Sequence, residues 1–149
     1  MKQLPEHGPC FVCGTANPQS MGVRWFIQDD GTIYGEVTLD IHQQGPPGHG
    51  HGGASAALLD EAMGTAVWAA GHMVLAANLN VDFRRPVPLG VLLKITAMVV
   101  DKSGRKLYTR AELALPDGHI AVKATGLFVE APQLFTAVAN QFIGLLPDA

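Results

Sequence analysis

From Gly52 to about Ala70 the chain runs without proline through Ala, Leu, Met and Val, and its only ionisable residues there are Asp60 and Glu61. That texture predicts a helix. Because the stretch is apolar nearly all round, the helix belongs inside the molecule rather than on a surface. The remainder of the chain must therefore cover it.

The flanking segments read as strands. Val23–Gln28 and Thr32–Leu39 are joined by Asp29-Asp30-Gly31, a hairpin signal, because glycine supplies the positive φ of a tight turn. A breaker cluster, Gly45-Pro46-Pro47-Gly48-His49-Gly50, separates this hairpin from the helix. After it come Leu75–Arg84, Leu92–Val100, Lys106–Ala114 and Ile120–Glu130, with Gly- or Pro-bearing turns between them. Met1–Gly22 reads as an irregular lead-in, and Pro132–Leu146 as a C-terminal helix with Leu134, Phe135, Val138, Phe142 and Leu145 at helical spacing. Hairpin, buried helix and four-strand meander together predict an α+β fold. Its long antiparallel sheet wraps one central helix, and an exposed edge or helix end favours dimerisation.

Composition narrows the function. The chain has 149 residues, 48% hydrophobic and 15% charged, enough for one domain with a substantial core and too apolar for disorder. A formal charge of −3 gives no general field for nucleic acid. No apolar run reaches the ~18 residues of a membrane span, and the opening MKQLPEHGPC is unlike a signal peptide. With only two cysteines, a disulfide scaffold is excluded and a reducing, cytoplasmic setting is expected.

A carboxylate inside a buried helix is costly unless something pairs with it or uses it. The ordinary reading of a mid-helix Asp-Glu pair is a solvated face, yet few polar residues extend that face here. At ~100° per residue the two side chains diverge. Asp60 shares its side with Gly53, Ala56, Ala57, Met63 and Gly64, a groove open to a ligand, whereas Glu61 stands beside Ala57, Leu58, Thr65 and Trp68. Asp60 is the better-placed reagent. His51-Gly52-Gly53 opens the same helix, where unpartnered N–H groups and the positive dipole end can receive a substrate oxygen.

His51-Gly52-Gly53-Ala54-Ser55-Ala56-Ala57-Leu58-Leu59-Asp60-Glu61-Ala62-Met63-Gly64 closely resembles the signature of hotdog-fold acyl-CoA thioesterases of the PaaI-like, phenylacetate-pathway type. Asn80–Gly90 resembles that family's strand and turn after the helix, and Cys10–Gly14 with Asn17-Pro18 and His42–Gly45 resembles one of its branches. The resemblance implies a thioester hydrolase acting on acyl-CoA without metal or cofactor. Asp60 falls on the family's carboxylate, acting as general base or as nucleophile. Gly53 would polarise the thioester carbonyl, with Gly52 beside it and His51 orienting the loop or leaving group. Gln43 or His42 would hold the water. Arg84 and Arg85 would lie near the nucleotide end of the coenzyme, since Arg suits phosphate. Where the family often begins the strand after the helix with a small hydroxyl residue near the thioester, this chain departs with Ala76-Ala77-Asn78, which bears on acyl preference and leaves Asn78 as a substrate-binding candidate. The family also completes its site across chains, implying a homodimer or a dimer of dimers (a homotetramer).

Cys10-x2-Cys13 looks like half a zinc knuckle, but only His7 offers a third ligand and no fourth is apparent, so two ordinary thiols and no essential metal are expected. His42, His49 and His51 lack the rigid spacing of a helix-borne metal site. Two other functions fit the same fold: a non-catalytic acyl-CoA or small-ligand binding domain, which Asp60 argues against, and a dehydratase, whose catalytic residues follow another order.

Overall fold

The computed structural model describes residues 1–136. Its strands are β1 (Lys2–Gln3), β2 (Arg24–Ile27), β3 (Ile33–Thr38), β4 (Val74–Phe83), β5 (Leu92–Ser103), β6 (Lys106–Ala114) and β7 (Ile120–Glu130). The long helix α1 spans Gly52–Ala69, and a short helix α2 spans Pro132–Thr136. Of the expected C-terminal helix, Pro132–Thr136 form α2; the rest of that expectation, with Val138, Phe142 and Leu145, lies outside the described residues. The lead-in contributes β1, an element its composition did not signal.

All seven strands join one antiparallel sheet in the order β1-β2-β3-β5-β6-β7-β4. The hairpins form where Asp-Gly and Ser-Gly turns direct them, with Gly31 and Gly104 at positive φ. The sheet curves around α1, which packs against strands β2 to β7. Period-two alternation puts Ile33 and Val37, Leu93 and Ile95, and Leu107 and Leu113 on the inner face, against Leu58, Leu59, Ala62, Met63 and Val67 of the helix. Gly35 sits mid-strand because the Trp25 ring crosses it: a Cβ there would come within 2.5 Å of the ring. An α+β hotdog architecture, with a long antiparallel sheet around one central helix, is what the chain forms.

Strand β4 follows the helix in sequence but lies outermost, beside the last strand β7. Its other edge has no strand partner among the described residues, and its Leu75, Leu79 and Phe83 are exposed. A long apolar edge of this kind is a ready template for another strand.

Candidate functional site

The N-terminus of α1 is built by His51. Its backbone is extended, and its ring Nδ1 accepts the Gly53 N–H at 2.8 Å, capping the helix. The His51 N–H donates to the Gln43 carbonyl (2.7 Å), which ties the loop to the helix start. Gln43 ends a single 3-10 turn, Ile41–Gln43, closed by a capping box: Asp40 accepts the His42 N–H (2.8 Å), and Gln43 Oε1 accepts the Asp40 N–H (3.1 Å). The Asp40 carboxylate also lies 2.7 Å from His42 Nδ1, and the hydrogen bonds from His42 hold its carboxyl below the usual range. His42, Gln43, His51 and Gly53 thus meet around one groove of about 270 Å³, together with Phe11. The Gly53 N–H expected to face a substrate oxygen is held by the His51 ring instead.

Asp60 lines a different cavity, of about 230 Å³, whose walls include Gly64, Thr65, Trp68, Leu75 and Phe128. It is half-buried. Burial, and then the charge of Glu61, push its carboxyl above the usual carboxylate range. Met63, which helical spacing groups with Asp60, is fully buried in the core, while Gly64 keeps the approach low. Thr65 was not singled out by sequence, yet its buried Oγ1 has no hydrogen-bond partner among the described residues, and the residue lines the cavity. On α2, Phe135 packs edge-on against Trp68 at 5.0 Å between ring centres.

Glu61 departs from expectation. Its neighbours are not only the apolar side chains of its own helix: Oε1 lies 2.7 Å from His7 Nδ1 and accepts the thiols of Cys10 (3.4 Å) and Cys13 (3.3 Å). The lead-in folds over this face of α1, which helical spacing alone does not reveal. His7 is pushed up to about 9 by its hydrogen bonds with Cys10 and Glu61. The Cys10 thiol is drawn down, first by its hydrogen bond with Cys13, and Cys13 is held up. Sequence left a fourth donor beside His7, Cys10 and Cys13 unassigned; Glu61 is the residue that lies there.

Strand β4 connects the two regions. At its start Val74, Leu75 and Ala76 form part of the Asp60 cavity; at its end the Phe83 ring lies 3.2 Å from where a Cβ on Gly52 would stand. Asn78 follows a bulge between Ala76 and Asn78 and is exposed, outside the Asp60 cavity lining. The backbone N–H groups of Arg84 and Arg85 both donate to the Ala121 carbonyl (2.8 and 3.0 Å), and the Arg84 guanidinium lies 3.7 Å from Asp82. The following turn bonds to the glycine loop through Gly50 N–H to the Val87 carbonyl (2.8 Å) and Leu89 N–H to the Gly48 carbonyl (3.0 Å). Both arginines therefore stand exposed at the end of the molecule where α1 begins.

Residues 47–122 match the family model of the thioesterase superfamily. The acyl-coenzyme A thioesterase THEM4 of Xenopus laevis is 38% identical over 89 residues, covering 58% of this chain and 40% of the relative. The THEM4 protein of Bos taurus is 39% identical over 88 residues, covering 58% and 36%. The chain thus spans about two fifths of the length of these curated relatives. Among solved structures, a thioesterase superfamily protein superposes with a TM-score of 0.79 at 39% identity, covering 84% of this chain and 61% of that one. The PaaI protein of the E. coli phenylacetic acid degradation operon shares the fold, with a TM-score of 0.69 at 22% identity over 74% of this chain and 80% of its own. Helix, wrapped sheet and the matched segment, which spans half of the sequence, agree: the chain belongs to the thioesterase superfamily and has its hotdog fold.

Proposed function

We propose that this protein hydrolyses an acyl-CoA thioester to a free acid and coenzyme A, with Asp60 as general base. The observation that carries the reading is the half-buried Asp60 carboxyl on the wall of the cavity beside Gly64, Trp68 and Phe128, where burial holds it above its usual range. Water attacks the thioester carbon as its proton passes to Asp60. The developing oxyanion takes the N–H of Gly53 at the positive end of α1, displacing the His51 ring. Collapse expels the coenzyme thiolate, which receives the proton.

Two copies of the chain fit this chemistry better than one. Gly53 and Asp60 are seven residues apart on one helix, ~10.5 Å along its axis, and the two cavities share no lining residue. Strand β4 spans that separation, with Phe83 at the Gly52 end and Leu75 at the Asp60 end. Pairing two β4 edges antiparallel about a two-fold axis brings the Gly53 end of one copy to the Asp60 end of the other. The thioester then lies between them, and Arg84 and Arg85 flank the entrance for coenzyme phosphates. His42 and Gln43 border the groove where water and leaving group pass, and Asn78 lies on the shared strand. A homodimer is the working unit, able to pair again into a tetramer, and the sparse cysteines support a reducing, cytoplasmic setting.

The direct test is incubation with a panel of acyl-CoA thioesters and a free-thiol reagent. Thiol release with saturable kinetics is expected. Ligand binding without turnover would make it a binding domain instead.

A further inference from the structure

We propose that His7, Cys10, Cys13 and Glu61 bind a zinc ion in a closed structural site that fastens the N-terminal segment to α1. One donor atom from each of these residues lies within 4.8 Å of all the others. A tetrahedral zinc with ~2.3 Å bonds to sulfur and ~2.0–2.1 Å bonds to oxygen or nitrogen has S···O edges of ~3.5 Å and N···O edges of ~3.3 Å. The separations of Glu61 Oε1 from the two sulfurs, 3.4 and 3.3 Å, already match those edges. The His7–Glu61 contact of 2.7 Å is a hydrogen bond that must open by ~0.6 Å to admit the ion.

The backbone around the thiols is independently shaped as a knuckle. Gly14 N–H donates to the Cys10 carbonyl (2.9 Å), and Val12 N–H points at Cys10 Sγ (3.4 Å), the kind of N–H···S bond that supports a metal-bound thiolate. Only glycine fits at the end of this turn: a Cβ on Gly14 would stand 2.1 Å from the Gly8 carbonyl and 2.3 Å from the Cys10 nitrogen. Cys13 is fully buried, and the other three donors are partly buried. Gathering two thiols, an imidazole and a carboxylate out of water is costly unless something binds them all.

The donor set chooses the metal. Two sulfurs exclude magnesium and calcium, and a four-coordinate site of Cys, His and carboxylate suits zinc. Four protein ligands leave no open position for water, so the ion is structural rather than catalytic. Because His7 and Glu61 also line the Asp60 cavity, the ion would fix one wall of the site without entering the reaction. The proposal stands apart from the thioesterase reading, since its test measures metal and not turnover.

The full chain, purified without chelator, should carry close to one zinc per chain by elemental analysis. That zinc should be released to a metallochromic dye when a mercurial blocks the thiols. Replacement by Co(II) should give the intense visible bands of a tetrahedral ion with thiolate-to-cobalt charge transfer. Both cysteines should alkylate rapidly only after the metal is stripped, a readout on the unmodified chain that needs no variant to fold. Glu61→Gln should retain zinc less tightly. Metal at background with Co(II) spectra lacking thiolate bands, or Cys10 and Cys13 recovered as a disulfide, would overturn the site. Wild-type zinc retention by Glu61→Gln would overturn the four-donor assignment.

Discussion

His51 Nδ1 accepts the Gly53 N–H at 2.8 Å, so one imidazole both caps the central helix and occupies the donor that a thioester oxygen would use. Loss of the cap in His51→Ala should cost about 1 kcal/mol of stability, whereas His51→Asn, an effective cap, should recover most of it. Chemical denaturation of the three proteins checks this. Equal stabilities for wild type and His51→Ala would mean that the ring contributes nothing to the helix.

Asp60, the proposed base, should also leave a signature in stability. Its carboxyl is raised, chiefly by burial, so the folded protein favours the protonated form. The folded state then binds more protons than the unfolded chain, and stability falls as pH rises from the ordinary value of 3.8 through the raised one. Asp60→Asn removes that penalty. Its Tm should exceed the wild type's at pH 7, and the difference should vanish below about pH 3.8. A variant less stable at pH 7 would show that the carboxylate is stabilised by its surroundings.

The helix, its start and its Asp60-Glu61 pair were legible because they are local. Composition marks α1, helical spacing separates Asp60 from Glu61, and His51-Gly52-Gly53 is a contiguous start signal. Strands β2 to β7 were legible for the same reason, since each turn carries its own Gly or Pro. What escaped depends on contacts between distant segments. Glu61 meets Cys13 across 48 residues and His7 across 54, and no periodicity in either segment encodes that meeting. The edge position of β4 was equally hidden, because it follows α1 in sequence yet pairs with β7. Sequence spacing leaves the Gly53 N–H a free donor, because it cannot place the His51 ring.

Arg84 and Arg85 are exposed at the end of the molecule where α1 begins. Substituting both with Ala should raise KM roughly three- to tenfold and weaken its dependence on salt, with kcat nearly unchanged, because phosphate contacts are mostly uniform binding. Steady-state kinetics at two ionic strengths decides. Unaltered KM and salt response would make them ordinary surface charges.

The exposed β4 edge carries Leu79 at its centre. Leu79→Lys places a charge on the pairing strand and should shift sedimentation from dimer toward monomer. Activity should fall at least tenfold with it, since the proposed dimer builds each site from two chains. A wild-type monomer with full turnover would remove the shared site.

The central claim rests on Asp60 rather than Glu61 as the reacting carboxylate. The most direct measurement compares kcat for acyl-CoA hydrolysis in Asp60→Asn and Glu61→Gln. Positioned proton transfer contributes ~10²–10⁴-fold, so Asp60→Asn should lose at least that much kcat with little change in KM and an intact fold. Glu61→Gln should lose far less, and only in proportion to any loss of stability. Near wild-type turnover in Asp60→Asn, with Glu61→Gln inactive, would contradict the assignment outright.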